Sequence, residues 1–173
     1  MKFIYEYKSF ISKILLASDE NSLTGLWLEG SKYYGKGLDG NSLYRETDVI
    51  KLTKSWLDIY FSGSNPDFNI PIKLTGTNFN LTVWMELLNI SYGSTTSYGQ
   101  VAKKVASKLS KKAMSAQAVG RAVGENPISI IIPCHRVIAS NGFLRGYSAG
   151  LDKKIKLLRL EGLNVDEKLR LIV

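Results

Sequence analysis

The sequence predicts two domains of different class, a small α/β domain over residues 1–76 and a mainly α-helical domain over residues 77–173. The first part contains short apolar runs bounded by turn residues and then one helical pattern. The second part contains several helical patterns separated by turns. Charge divides the chain in a similar place, because residues 1–88 carry 9 Lys and Arg against 10 Asp and Glu, whereas residues 89–173 carry 14 against 5.

The α/β domain contains two apolar runs, residues 12–18 and 22–30, with an acidic turn between them. Turn residues between two such runs favour a β-hairpin. Residues 48–61 show apolar side chains at helical spacing, and Gly63 follows as a stop. After a proline-containing loop, residues 70–76 are predicted to form a short strand.

The helical domain is predicted to begin with a helix over residues 78–89 that Thr77 caps. Residues 101–109 and 116–126 follow as two short helices joined by a basic turn, and Ser115 is placed to cap the second. This pattern resembles a helix-turn-helix, although any pair of neighbouring helices has the same pattern. Residues 151–162 form the last predicted helix.

The second of the two short helices is unusually thin, because Ala118, Gly120 and Gly124 alternate with few large side chains. Only Gln117 and Arg121 project far from it. Glycine inside a helix costs about 1 kcal/mol relative to alanine, so the small residues need a reason. Close packing against a neighbouring helix and close approach to a groove of DNA both supply one.

Composition limits the function classes. No run of about 18 apolar residues is present, and the charged, aromatic N-terminus is unlike a signal peptide, so a soluble cytoplasmic protein is expected. The basic second half predicts contact with a polyanion such as nucleic acid, although a solvated basic surface would give the same charge.

The chain has one cysteine and one histidine, Cys134 and His135. This excludes an intrachain disulfide and a structural zinc site, which needs about four such ligands, and no metal is expected. They follow an apolar run, residues 128–132, predicted as a buried strand that Pro133 ends. Cys134 is either a buried inert thiol or a nucleophile that His135 activates, directly or through a water molecule.

Glu161 is the third candidate for this chemistry. It lies three residues after Leu158 and four after Leu157, and therefore on the apolar face of the last helix. A carboxylate there is costly to bury without a partner, and the helix C-terminus disfavours negative charge. Glu161 either reaches into water or pairs with His135, and the second arrangement predicts an ionised Cys134 nucleophile within a Cys–His–Glu set.

From Pro133 to Val137 the sequence PCHRV resembles the O6-alkylguanine-DNA alkyltransferases. The resemblance extends over about residues 77–162, through NFNLTVWMELLNISYGSTTSYGQVA, AVGRAVGENPISIIIPCHRVI and NGFLRGYSAGLDKKIKLLRLEG. It implies a ribonuclease-H-like N-terminal α/β domain and a winged-helix C-terminal domain with a helix-turn-helix.

The resemblance also implies roles in the chemistry. Cys134 would accept the alkyl group, His135 would act through a water as its base, and Glu161 would hold His135. Tyr98 resembles the tyrosine that helps to rotate the damaged nucleotide out of the duplex, and it is also placed to protonate the departing base. No cofactor is implied.

Further residues are assigned by the same resemblance to recognition of DNA. Asn126 would tie the helix-turn-helix to the active-site segment, and Tyr147 and Ser148 would wall the base pocket. The thin helix, with Ala118, would enter the minor groove. The sequence leaves open whether Gln117 or Arg121 fills the gap left by the flipped base, because the family's usual arginine is absent from that position.

The predicted function is direct reversal of DNA damage by a monomer, in which an alkyl group moves once and irreversibly from O6-alkylguanine in double-stranded DNA to Cys134. Two alternatives remain at this stage. One is a cysteine hydrolase with the same three residues, for which no oxyanion-hole signature is found. The other is a DNA-binding module that recognises lesions without chemistry.

Overall fold

The computed structural model describes residues 1–172. Its N-terminal part contains one four-stranded sheet, in which the strand order is β3-β2-β1-β4. The neighbours β1 and β2 are antiparallel, as are β2 and β3, whereas β4 is parallel to β1. The strands are β1 (Phe3–Lys8), β2 (Lys13–Ser18), β3 (Leu23–Leu28) and β4 (Leu43–Tyr44). The predicted hairpin is therefore confirmed as β2 and β3, while β1 and β4 were not predicted.

The first helix, α1 (Asp48–Phe61), has the predicted bounds. The side chain of Thr47 caps it by accepting a hydrogen bond from the amide of Ile50. Its apolar stripe, which includes Leu57 and Tyr60, is buried in the core cluster together with residues of the sheet. Gly63 ends the helix at a positive φ of 87°, a conformation that glycine adopts without strain.

Two predicted strands are wrong. Residues 70–76 make only one bridge to β3, at Ile72, and Pro71 takes part in it through its carbonyl, which accepts from the amide of Leu23 at 2.8 Å. Residues 128–132 also bridge β3 only once, and Ile130 turns the chain at a φ of 71°. The apolar run predicted burial correctly, but a run this short does not fix the backbone conformation.

The C-terminal part contains four α-helices and two small sheets. The helices are α2 (Asn78–Leu87), α3 (Tyr98–Lys108), α4 (Ala116–Gly124) and α5 (Leu151–Leu160). The strands β5 (Thr96–Ser97) and β6 (Val137–Ile138) pair in parallel, and β7 (Asn164–Val165) and β8 (Leu171–Ile172) pair antiparallel.

Local capping sets where these helices begin. Thr77 and Ser115 accept hydrogen bonds from the first-turn amides of α2 and α4, as predicted. Ser97 and Gln100 form a capping box, so α3 begins at Tyr98, three residues earlier than predicted.

A single main hydrophobic cluster extends through both parts of the chain and contains residues of α1, β2 and β3 as well as of α2, α3 and α4. The active-site candidates lie at its edge. Within residues 1–172, none of the helices is long and apolar enough to cross a membrane.

Candidate active site

Cys134, His135 and Arg136 form one turn of 3₁₀-helix directly after Pro133. The predicted core strand before them is replaced by tight turns, in which the amide of Cys134 donates to the carbonyl of Ile132 at 2.8 Å. Asn126 holds the same segment: its side-chain amide donates to the carbonyl of Ile132 at 2.8 Å, and its side-chain oxygen accepts from the amide of Ile128 at 3.0 Å. Asn126 therefore joins the end of α4 to the segment that carries the thiol.

His135 is fully buried and pairs with Glu161, whose Oε1 lies 2.6 Å from Nε2 of the imidazole. Glu161 follows α5 and is itself only 6% exposed, so of the two arrangements predicted from sequence the structure forms the pair. Among residues 1–172, Nδ1 of His135 has no hydrogen-bond partner, and no hydrogen bond joins it to Cys134. A direct hydrogen bond between the thiol and the imidazole is thus not formed.

The carboxylate of Glu161 accepts several further hydrogen bonds. Arg136 donates to it twice, from Nε to Oε2 at 2.9 Å and from Nη2 to Oε1 at 3.0 Å. The backbone amide of Gly93 donates to Oε2 at 3.0 Å, and the hydroxyl of Tyr60 donates to Oε1 at 2.7 Å. These hydrogen bonds compensate the free-energy cost of burying the negative charge of Glu161.

These contacts determine the protonation of the pair. Burial alone would raise the pKa of Glu161, but the hydrogen bonds from His135 and Arg136 and the positive charge of Arg136 outweigh it and lower the pKa to about 2. Glu161 is therefore ionised at neutral pH and can only accept, so Nε2 of His135 carries the proton that it donates. Burial lowers the pKa of His135, in spite of the favourable bond to Glu161. The imidazole is accordingly neutral, with a free lone pair on Nδ1.

Cys134 is 3% exposed, and burial raises the pKa of its thiol, although Asn126, Lys154 and Tyr147 act in the opposite direction. The expectation of a mostly ionised Cys134 is therefore wrong for the free protein. A thiolate in a closed apolar site lacks the hydration that stabilises it in water. The proton must leave at the time of reaction.

The thiol opens onto a cavity of about 290 Å³, here called the Cys134 cavity. Its lining consists of Tyr98, Gly120, Val123, Gly124, Cys134, Arg145, Gly146, Tyr147 and Ser148. Tyr98, Tyr147 and Ser148, which were predicted from sequence, all face this space. Larger cavities exist elsewhere, but Cys134 does not line them.

The three predicted residues that line this cavity are held in different ways. Tyr98 is the first residue of α3, and its hydroxyl donates to the carbonyl of Arg145 at 3.1 Å. Burial and the neighbouring Cys134 raise the pKa of Tyr98 to about 12, so it remains a proton donor. Tyr147 buries its hydroxyl without a hydrogen-bond partner among residues 1–172, and Ser148 accepts a hydrogen bond from Ser31 of the N-terminal part at 3.3 Å.

Lys154 was not predicted to belong to the site. It is fully buried on α5, and Nζ donates to the carbonyl of Val137 at 2.6 Å, with longer contacts to the carbonyls of Arg145 and Gly146. Burial lowers its pKa to about 8, while Cys134 opposes this. The sequence did contain a signal, because Lys154 lies three residues before Leu157 and so shares its buried face, by the same spacing that identified Glu161.

The remaining predicted residues lie on α4. Gln117 and Arg121 are exposed and Ala118 is partly buried. A methyl group added at Gly124 would meet nothing within 4 Å, and one at Gly120 would lie 3.7 Å from the ring of Tyr98, which is an ordinary contact. Packing within residues 1–172 therefore does not require glycine at either position, which favours an external partner as the reason for the thin helix.

No group of three or more His, Cys, Asp or Glu side chains in residues 1–172 is arranged to hold a metal ion. Glu161, His135, Arg136 and Tyr60 instead bind one another, beside a thiol that faces a cavity.

Comparison with known proteins identifies the family. Residues 4–74 match the 6-O-methylguanine DNA methyltransferase, ribonuclease-like domain, and residues 78–163 match the 6-O-methylguanine DNA methyltransferase, DNA binding domain. The methylated-DNA–protein-cysteine methyltransferase of Methanosarcina acetivorans is 39% identical over 157 residues, which are 90% of this chain and 96% of the relative. That of Mycobacterium leprae is 40% identical over 151 residues, 87% of each chain.

Solved structures agree with this result. The crystal structure of Mycobacterium tuberculosis OGT in complex with DNA has a TM-score of 0.81 and 34% identity, with 92% of each chain covered. An O6-methylguanine DNA methyltransferase from Methanococcus jannaschii has a TM-score of 0.61 and 31% identity, with 94% of this chain and 96% of that one covered. With a ribonuclease-like N-terminal domain and a DNA-binding C-terminal domain, the chain belongs to the 6-O-methylguanine DNA methyltransferase family.

Proposed function

We propose that this protein repairs DNA by direct reversal, moving an alkyl group such as methyl from O6 of guanine to Sγ of Cys134. The observation that carries the proposal is the position of the chain's single cysteine on a small cavity, beside a neutral imidazole that a buried carboxylate holds. Relatives named methylated-DNA–protein-cysteine methyltransferase support the same reaction.

The first step of the proposed mechanism removes the thiol proton. Nδ1 of His135 has a free lone pair and makes no direct bond to Cys134, so a water molecule between them carries the proton from sulfur to nitrogen. The imidazolium that forms is stabilised by Glu161, which accepts from Nε2. Because the resting thiol is neutral, this transfer coincides with binding of the damaged base.

The second step transfers the alkyl group. The thiolate attacks the alkyl carbon, a sulfur–carbon bond forms, and the bond from carbon to O6 breaks with its electron pair going to guanine. Tyr98 is the proposed donor of the proton that neutralises the departing guanine, since it faces the cavity and keeps its proton. The proton that His135 took from Cys134 then leaves through water and Tyr98 regains one, so both side chains end neutral. No group of the site is placed to cleave the resulting thioether, so each molecule acts once.

Access to O6 requires DNA binding and base flipping, which costs a few kcal/mol. We assign α3 and α4 to a helix-turn-helix within a winged-helix C-terminal domain, with the domain boundary at residues 76 and 77. The thin α4 enters the minor groove with Ala118 against it, and Gln117 or Arg121 replaces the flipped base. Tyr98 helps to rotate the nucleotide.

The flipped guanine is proposed to enter the Cys134 cavity, where Tyr147 and Ser148 wall and bind it. Asn126 keeps α4 and the thiol in a fixed relation while this happens. All of these groups come from one chain, which supports action as a monomer. A structure of a relative with DNA bound supports DNA as the partner.

The test is intact-mass spectrometry after mixing the protein with duplex DNA that contains a single O6-methylguanine. We expect a gain of one methylene per molecule, mapped to Cys134 and absent in Cys134→Ala. DNA binding without a mass gain would instead indicate lesion recognition without chemistry. Loss of the methyl group from DNA without modified protein would indicate a hydrolase and would contradict the proposal.

A further inference from the structure

Tyr60 belongs to α1 in the N-terminal domain, yet its hydroxyl reaches the catalytic pair of the C-terminal domain. The hydroxyl donates to Oε1 of Glu161 at 2.7 Å, across a separation of 101 residues, and lies 3.4 Å from Nε2 of His135. The side chain is fully buried. The same carboxylate oxygen therefore faces the imidazole and the tyrosine at once.

We propose that Tyr60 is a positioning residue for the reaction of Cys134: its hydroxyl holds Oε1 of Glu161, and through it His135, from the N-terminal domain. The inference rests on the proposed alkyl transfer and assigns the N-terminal domain a part in it. Tyr60 touches neither the thiol nor the Cys134 cavity, so it acts only through Glu161 and His135.

The direction of the effect follows from the hydrogen bonds to Oε1. This oxygen accepts from His135, from Arg136 and from Tyr60. Burial and the adjacent Glu161 raise the pKa of Tyr60 well above its ordinary value, so the hydroxyl keeps its proton and donates. Each donor withdraws negative charge from the oxygen. Loss of the Tyr60 hydroxyl concentrates charge on the bond to His135 and stabilises the imidazolium.

Other groups around the pair remain in place when this hydroxyl is removed. The other titratable and charged groups that face His135, Glu161 or Tyr60 are Arg136 on the 3₁₀ turn, Lys154 on α5, Tyr92 on the loop after α2, and Tyr147. Arg136 continues to donate two hydrogen bonds to Glu161, and the backbone amide of Gly93 continues to donate one. The imidazole thus keeps its partner, and the charge on that partner is what changes.

Phenylalanine at position 60 isolates the hydroxyl from the packing of the ring. The ring of Tyr60 stacks on Trp56 with centroids 5.4 Å apart and contacts Phe61 and Tyr92 edge to face, and a phenyl ring preserves all three contacts. Tyr7→Phe is the matched control, because it removes a hydroxyl that donates to Asp58 at the same 2.7 Å on the surface of the same domain.

The first measurement uses the fact that His135 is the only histidine in the chain. In protein labelled with ¹⁵N-histidine, one imidazole is observed, and its nitrogen shifts report both the tautomer and the titration midpoint. We expect the midpoint of His135 to move to higher pH in Tyr60→Phe and to stay at the wild-type position in Tyr7→Phe. An unchanged midpoint in Tyr60→Phe, with the protein folded, would overturn the inference.

The second measurement is the pH dependence of methyl transfer. A base that stays protonated to higher pH makes Tyr60→Phe slower than wild type by about tenfold for each pH unit by which the midpoint of His135 rises, at pH values below both midpoints, and leaves it within about twofold of wild type above both midpoints. A purely structural role would instead lower the rate by one factor over the whole pH range. Wild-type protein that accepts no methyl group would refute the proposed function itself, whereas a normal wild type with a pH-independent ratio would refute only the role of Tyr60.

Discussion

Replacement of Glu161 by glutamine should lower the free energy of unfolding by about 3 kcal/mol at pH 7. The pKa of Glu161 falls from 4.5 to about 2 in the folded protein, and each pKa unit corresponds to about 1.4 kcal/mol. Removal of one partner from a buried ion pair costs a similar amount, about 3–5 kcal/mol. Arg136, which is 8% exposed, would lose the opposite charge that compensates its burial.

The same shift predicts how stability depends on pH. Because the folded-state pKa of Glu161 lies below the unfolded-state value, the stabilisation is fully present above about pH 5 and is lost as pH falls toward about 2. Wild-type protein should lose about 3 kcal/mol from this group over that range. Glu161→Gln should lack this part of the dependence.

The assay is urea unfolding followed by tryptophan fluorescence at a series of pH values. Glu20→Gln is the control, since Glu20 makes an ion pair with Arg45 in which both side chains are more than half exposed. Such surface pairs contribute about 0–1 kcal/mol. A loss below about 1 kcal/mol in Glu161→Gln, or an acid dependence equal to that of wild type, would refute the description of Glu161 as a stabilised buried charge.

Three further predictions concern transfer and DNA binding. Gly124→Ala should leave the free energy of unfolding unchanged or raise it by up to about 1 kcal/mol, because the added methyl group meets no other atom within 4 Å. It should slow methyl transfer about tenfold, because the same methyl group narrows the Cys134 cavity. An unchanged transfer rate would contradict this. Tyr98→Phe should slow single-turnover transfer about 100-fold or more with little change in DNA affinity; a wild-type rate would exclude Tyr98 as proton donor. Arg121→Ala should reduce the salt dependence of DNA binding by about one counterion, because Arg121 is an exposed cation on the helix assigned to the groove, and an unchanged slope would place Arg121 away from the DNA.

Helices and their first residues were predictable because their signals are local. The bounds of α1, and the caps Thr77 and Ser115, depend on side chains within a few residues of one another. Strands were predicted less well, since β1 was missed and residues 70–76 and 128–132 form isolated bridges instead of strands. A strand depends on partners far along the chain, which the local pattern does not contain.

The sequence by itself determined the reactive group and its partners. It did so through residue types that occur only once and through a charged residue on an otherwise apolar helix face. The single cysteine and histidine stand side by side, and Glu161 lies on an apolar helical face where an unpaired charge is costly. Lys154 carried the same signal. Tertiary structure decided what these residues do at rest: burial keeps the thiol of Cys134 protonated and His135 neutral. It also brought Tyr60 to Glu161 over 101 residues of sequence, because only the folded core places α1 beside the end of α5.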